Sequence, residues 1–423
     1  MRILILGSGA REHAIAWKLS KEIGKENVFV SPGNGGTALC ATNAGIAYTD
    51  FENLYRYCDE NNIDTVMPGS EDAIAQGVRD YLEDKTSDIY VFSPDKHAGQ
   101  LESSKSFAKD FMARENIPTA AYKAFTKTTV EEGCKFLEGL KPPYVLKADG
   151  LAAGKGVLII DNLEEAQSSL RDMLVNEKFG EASTTVVIEE FLDGIEFSVF
   201  VLTDGENYVV LPEAKDYKRI GEGDTGLNTG GMGAVSPVPF YTDVIKKKTS
   251  EQIIKPTIDG LKNQNLNFRG FVFFGLILVD GDPFVIEYNV RMGDPETEVV
   301  IPRLDESLSE MILDAKNGNL KTRVAQVLPG YATTVFAVSG GYPESYDKNK
   351  IIQLGSKSET LFHAGTKLDN NEYVTSGGRV LAATEFGDTM KASLSKSYET
   401  ISAVEFEKKV FRTDIGKDLE KYI

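Results

Sequence analysis

Glu287, Asn289 and Arg291 occupy alternate positions at the end of the apolar run that begins at Phe284. Successive side chains of a β-strand point to opposite faces, so this spacing puts the three polar groups on one face. A carboxylate and an amide oxygen two residues apart form a hard-oxygen pair suited to Mg2+. That ion commonly takes one or two protein ligands and fills its shell with water and phosphate oxygens. Arg291 then stands where a guanidinium can neutralise a phosphoryl group in transfer. The polar turn Met292-Gly293-Asp294-Pro295-Glu296 follows at once, which argues against a plain solvent-facing strand.

A second chemical segment is Lys147-Ala148-Asp149-Gly150-Leu151-Ala152-Ala153-Gly154-Lys155-Gly156, set between two β-prone runs. Its small residues let backbone approach phosphate closely, and Lys147 and Lys155 bring positive charge. It is no Walker A loop. Three residues separate Gly150 from Gly154-Lys155, Gly156 stands where Ser or Thr is required, and no helix follows. A β-hairpin cover over a nucleotide fits better. The run 186–192, ending in Glu189-Glu190-Phe191-Leu192, can offer backbone groups to an adenine edge, and Glu196 beyond it can accept ribose hydroxyl protons.

Asn228-Thr229-Gly230-Gly231-Met232-Gly233-Ala234 is a permissive loop, and Asp216-Tyr217-Lys218-Arg219 lies shortly before it. Gly7-x-Gly9 after the first apolar run invites a dinucleotide reading. Glu12 takes the third glycine's place, however, and no acid closes the second strand, so a nicotinamide or flavin cofactor is not expected.

Elements must hold these segments in place. Over the first hundred residues, apolar runs at 2–6, 27–30, 65–67 and 89–92 alternate with amphipathic stretches at 12–21, 51–61 and 71–83. This order predicts a parallel sheet with helices on both faces and ligands at the carboxyl ends of the strands. The turns 7–10, 31–36 and 68–71 would share that edge. A helix over 105–115 leads into strands at 144–148, 157–160 and 184–190 around a helix at 163–175, which predicts a small α+β lobe. Strands at 197–202, 271–279 and 284–290 and a helix over 304–317 predict a larger lobe, the last two strands being joined by the turn 280–283. Strands at 331–338 and 379–383 and a helix near 389–397 complete the chain. The fold class expected is an α/β and α+β multidomain chain. It divides into an amino-terminal Rossmann-like domain at 1–102, a middle domain at 103–327 (lobes 119–192 and 193–327) and a small carboxy-terminal α+β domain at 328–423.

Composition agrees with such a chain. Its 423 residues exceed one ordinary core, and 41% apolar with 26% charged residues is the balance of a folded soluble enzyme. A formal net charge of −18 argues against nucleic-acid or anionic-membrane partners, which need clustered Lys and Arg. Cys40, Cys58 and Cys134 lie far apart without CxxC spacing, so neither zinc nor a disulfide framework is expected. The apolar start is four residues long before Gly7, too short for a signal peptide, and no run approaches the ~18–20 apolar residues of a membrane span. A cytoplasmic location is expected.

Together these motifs resemble the phosphoribosylamine–glycine ligase family, of the ATP-grasp superfamily, along almost the whole chain. The stretches that carry the likeness are Gly9-Ala10-Arg11-Glu12-His13-Ala14, Ser31-Pro32-Gly33-Asn34, Gln100-Leu101-Glu102-Ser103-Ser104-Lys105, Lys147 to Gly156, Asn228 to Ala234, and Arg291-Met292-Gly293-Asp294-Pro295-Glu296-Thr297-Glu298. The sequence departs from the family pattern at Met292, usually Phe or Leu, at Tyr217, usually His, and at Gly69-Ser70-Glu71, usually Pro-Glu.

The resemblance implies an ATP-grasp fold and a reaction of ATP, glycine and 5-phosphoribosylamine to glycinamide ribonucleotide, ADP and phosphate, by way of glycyl phosphate. It implies Mg2+ or Mn2+ on Glu287 and Asn289, and Lys105, Lys147 and Gly154 at the ATP phosphates. Glu189, Glu190, Phe191 and Leu192 would form the adenine hinge, with Glu196 on the ribose. Arg291, Asp294 and Lys155 would stand nearest the chemistry, while Gly9, Arg11, Asn34, Asp216, Asn228, Gly231 and Arg379 would meet the substrates. Arg379 would hold the 5-phosphate. A monomer is expected. The rivals are another ATP-grasp ligase acting on formate or bicarbonate, and a nucleotide-binding module without turnover. Retention of the metal pair and of Arg291 speaks against the latter.

Overall fold

The computed structural model describes residues 1–152, 156–355 and 358–423. The first domain is built on β1 (Ile3–Gly7), β2 (Val28–Pro32), β3 (Thr42–Asn43), β4 (Thr65–Pro68) and β5 (Tyr90–Val91), all parallel, in the order β3-β2-β1-β4-β5. Every residue of β1 is buried, as a parallel strand covered on both faces requires. The chain leaves β1 toward β2 and β3, then returns to β4 on the other side. The crevice between the ends of β1 and β4 is therefore the switch point at which such sheets take ligands. The three turns expected at this edge are there.

The small lobe is an antiparallel sheet of β6 (Tyr122–Thr126), β7 (Tyr144–Ala148), β8 (Val157–Ile160) and β9 (Thr185–Glu189), ordered β6-β9-β7-β8. Helices Val130–Glu138 and Leu163–Val175 cover one face, burying Leu137, Leu170 and Met173 against Phe125 and Leu146. The hairpin β7–β8 brackets the glycine-rich segment.

The larger lobe turns on β10 (Ile195–Thr203), which pairs with β11 (Tyr208–Val210) and, farther along the chain, with a long hairpin. Between them come β12 (Lys215–Asp216), the ribbon β13 (Arg219–Gly221) with β14 (Thr225–Asn228), and β15 (Gly233–Ser236). The hairpin is β16 (Gly270–Val279) with β17 (Asp282–Asn289), turned at Asp280 and Gly281, both with positive φ. Its register slips once. Gly275 faces Glu287 while Leu276 faces Val285, so Ile286 is an extra residue, a bulge beside Glu287.

β18 (Arg323–Val324) adds to β11, and the carboxy-terminal region then contributes β19 (Tyr331–Ser339), β20 (Leu361–His363), β21 (Thr366–Asp369), β22 (Glu372–Thr375) and β23 (Arg379–Gly387). One sheet runs β12-β15-β19-β23-β20, so strands from 215–236 are stitched into the sheet of the last hundred residues across position 327. Helix Met390–Ala403 closes it.

Two expected helices differ. The stretch 71–83 is two helices, Glu71–Ala75 and Val78–Lys85, because Gly77 sits at φ +88°, where a right-handed helix cannot continue. The helix expected over 304–317 begins only at Leu308, where Ser307 accepts the N–H of Glu310. A separate helix, Thr297–Arg303, precedes it and tolerates Pro302 by ending one residue later. All three cysteines are free, and among the described residues no helix is long and apolar enough to cross a membrane.

Candidate active site

Two cavities meet the motifs. The first, of about 430 Å³, lies between helix Lys105–Arg114, the β7–β8 hairpin and β17. Lys105, Lys109 and Lys147 line one wall, and Glu287, Asn289 and Arg291 the other. The second, of about 650 Å³, lies at the β1 and β2 edge of the first domain and reaches Thr366, Lys367, Gly377 and Arg379 of the carboxy-terminal region.

On the lysine wall, buried Glu189 Oε2 receives Lys147 at 2.9 Å and Lys109 at 3.1 Å. Lys109 also donates to Thr119 Oγ1 at 2.7 Å. Burial pushes the Lys109 amine down to about 8, Glu189 offsetting part of the shift, and burial likewise lowers Lys105. Three lysines against one carboxylate leave the wall an anion acceptor. Lys109, one helical turn after Lys105, was not foreseen, although the i, i+4 spacing could have flagged it.

On the opposite wall no described residue donates to the carboxylate of Glu287, and Asn289 donates its Nδ2 to Tyr288 O at 2.7 Å, which leaves its amide oxygen free. Among the described residues no three His, Cys, Asp or Glu side chains form a self-sufficient metal cage. Two free hard oxygens with room beside them therefore fit an ion that completes its shell on phosphate.

Arg291 lines the first cavity between two acids. Its Nη2 pairs with Glu102 Oε1 at 2.7 Å and its Nε lies 3.5 Å from Glu71 Oε2, buried but with no hydrogen-bond partner. Burial raises Glu102 to about 7 against the opposing pull of Arg291. Burial also pushes on Glu71, yet Arg291 and Arg11 together hold it below its ordinary value. Neither acid was anticipated.

Asp294 pairs with Arg379 Nη1 at 2.7 Å. Burial would raise it, but Arg379 and Arg11 hold it low. Arg379 Nη1 also reaches Gly230 O at 2.7 Å, and a Cβ at Gly230 would sit 3.0 Å from the guanidinium carbon, so glycine permits this approach. No described residue accepts from Nε or Nη2 of Arg379. Arg11 donates to Glu12 Oε1 at 2.6 Å and to Met292 O at 3.2 Å, tying the first turn to the Gly-Asp-Pro segment. Glu12, at the third glycine's place, is buried, and its carboxylate accepts Gly9 N at 2.6 Å at the helix N-terminus.

Other anticipated residues divide. Glu196 pairs with Lys218 at 2.7 Å, and both line a small cleft with Asp216 and Glu287. Tyr217 points the other way, buried, its hydroxyl donating to Asp418 at 2.5 Å, so the residue that departs from the family pattern serves the core. Asn34 donates to the carbonyls of Ser8, Gly9 and His363 and accepts Gly36 N and Thr37 N, so its amide is consumed in holding the loop. Gly231 packs on Pro295 at φ +116°. Asn228 is exposed on β14 and lines neither cavity; nor do Glu190, Phe191 and Leu192, of which Glu190 accepts Ala121 N at 2.8 Å. Gly154 and Lys155 lie outside the described residues.

A nucleotide-sized cavity clasped between an antiparallel lobe bearing lysines and a second lobe bearing a carboxylate–amide pair is the arrangement of an ATP-grasp enzyme. Residues 1–102, 103–297 and 332–418 match in turn the N domain, the ATP-grasp (A) domain and the C domain of phosphoribosylglycinamide synthetase. The chain belongs to that family. It is 39% identical to the phosphoribosylamine–glycine ligase of Fusobacterium nucleatum over 98% of both chains. It is 42% identical to a bifunctional purine biosynthetic protein of Pichia angusta, of which it spans about half, 53%. The crystal structure of the phosphoribosylamine–glycine ligase of Thermotoga maritima superposes with a TM-score of 0.87 at 37% identity, covering 98% of this chain and 100% of that one.

Proposed function

We propose that the chain joins glycine to 5-phosphoribosylamine, converting ATP to ADP and phosphate through glycyl phosphate, in purine biosynthesis. The observation that carries this reading is the chain of contacts between residues beside the two cavities. Arg291 lines the first, Arg379 lines the second, and the Arg11–Met292 bond and Asp294–Arg379 pair join their walls.

ATP occupies the first cavity with its phosphates against Lys105 and Lys147. Mg2+ or Mn2+, which Glu287 and Asn289 would hold, would supply charge neutralisation at the outer phosphates. Arg291 takes up charge on the transferring phosphoryl group as the glycine carboxylate attacks the γ-phosphate. The amine of phosphoribosylamine, in the second cavity, then attacks the acyl carbon and expels phosphate. A carboxylate is a poor acyl donor and its phosphate anhydride a good one, so the intermediate turns an unfavourable condensation into two accessible steps.

Coupled ADP release with glycine and freshly made phosphoribosylamine tests the reading, with formate and bicarbonate as rival acceptors. Glycine carrying ¹⁸O in its carboxylate should pass one label to inorganic phosphate at each turnover. Pyrophosphate as product, or label in AMP, overturns the proposal.

Arg379 offers its free Nε and Nη2 as a fork for the 5-phosphate, a geometry that lysine lacks. Arg379→Lys should raise KM for phosphoribosylamine about tenfold, the scale of one lost charge-assisted contact, and leave KM for ATP nearly unchanged. Equal shifts for all substrates would mark Arg379 as a purely structural partner of Asp294.

A further inference from the structure

Glu298 lies in the helix Thr297–Arg303, four residues beyond Asp294, and is fully buried. Neither of its carboxyl oxygens receives a hydrogen bond from a described N–H or O–H group. The charged group that acts on it most strongly is another carboxyl, that of Asp294. Two carboxyl groups bond to each other only when one of them carries a proton, and a buried pair sheds charge by keeping it.

The surroundings decide which one. Asp294 faces Arg379 on β23 at 2.7 Å and feels Arg11 on helix Ala10–Ile23, itself paired with Glu12. Packed on the same helix, β15 and β19 carry no Asp, Glu, Lys, Arg or His, and their one other titratable residue, Tyr331, opens β19. Glu298 thus has Asp294 as its near neighbour, and the one cation that acts on it, Arg379, is already paired with Asp294.

We infer that Glu298 is held as a neutral carboxylic acid that donates its proton to Asp294, making it a positioning residue that fixes Asp294 and leaves the full charge of that carboxylate to Arg379. Burial, then the charge of Asp294, hold Glu298 well above the usual carboxylate range, in the direction this requires. The protonation stands on the burial of Glu298 and its two unpartnered oxygens; its consequence for turnover rests on the ligase reading. An ionised Glu298 would compete for Arg379 and draw the guanidinium from the second cavity.

The sign of the linkage supplies the test. In the fold Glu298 is neutral, whereas in the unfolded chain it ionises above about 4.5. Folding therefore takes up a proton, and stability falls as pH rises from the unfolded value toward the raised folded one. Glu298→Gln keeps a donor to Asp294 and removes that proton uptake. Its melting temperature relative to the unmodified chain should rise more at pH 8 than at pH 5. An equal difference at both values means that Glu298 takes up no proton and overturns the inference.

The activity arm compares Glu298→Gln with Glu298→Leu. The glutamine variant should retain most of kcat/KM for phosphoribosylamine, while leucine, which leaves Asp294 without its donor, should lose about tenfold or more. A glutamine variant as impaired as the leucine variant also overturns the positioning role. Absence of ligase turnover in the unmodified chain would count against the ligase reading, and the pH-dependent melting would still decide the protonation. Should the leucine variant fail to fold, the melting comparison and the glutamine kinetics suffice.

Discussion

Glu287→Ala should lower turnover by on the order of a hundredfold or more while the protein melts at its usual temperature. That loss corresponds to about 2.7 kcal/mol of transition-state stabilisation, within the range seen when one preorganised charge partner is removed. The fold does not depend on the carboxylate. Glu287 lies two residues before the end of a strand whose register is fixed by the pairing of β16 with β17, and no described residue donates a hydrogen bond to it. Its nearest cations, Lys105 and Lys218, have other partners: Lys218 pairs with Glu196, and Lys105 lies by the carbonyls of Asp149 and Gly150. Asn289 alone supplies one neutral oxygen and cannot fix a divalent ion between phosphate oxygens. Turnover of the variant should therefore be restored only in part by raised Mg2+, with the apparent metal constant shifted upward. Unchanged turnover at saturating Mg2+ would remove Glu287 from the metal site.

The legibility of these features differs for physical reasons. Strands β7 and β8 and the helix Leu163–Val175 were readable to the residue, because apolar spacing with period 2 or 3.6 coincides there with turn residues at the ends. The pairing of Glu287, Asn289 and Arg291 was readable for the same reason, although the bulge at Ile286, which needs a partner strand to exist, was not. Helix Thr297–Arg303 was hidden by Pro302 and by the polar turn before it. The break at Gly77 was hidden because an isolated glycine is tolerated in many helices.

The site itself was half legible. Residues proposed to meet ligands through small loops or strand faces could be named, but those that act on one another through space could not. Glu71, Glu102 and Arg291 come from three segments, and Lys109 and Glu189 from two, so only the folded chain shows that their charges are matched. Asn34, which lines the second cavity, shows what spacing leaves out. It sits in the right loop at the right edge, yet its five hydrogen bonds are all internal, which no sequence spacing reveals.

The charge matching leads to the second large effect. Arg291→Lys should keep the fold and lower kcat about a hundredfold, the scale of a lost transition-state charge contact, with little change in KM for ATP. Lysine preserves the charge that Glu102 and Glu71 require, so the buried acids are not left unpaired as they would be after truncation. What it removes is the planar fork, which reaches Glu102 through Nη2 and the Glu71 side through Nε while presenting its remaining face to the first cavity. A single ammonium can satisfy Glu102 or approach the phosphoryl group, and burial in this wall favours the former. The lost interaction is thus one made in the transition state, and kcat and kcat/KM should fall together. A rise in KM for glycine at constant kcat would instead place Arg291 on the substrate carboxylate, with the phosphoryl charge carried by the lysine wall.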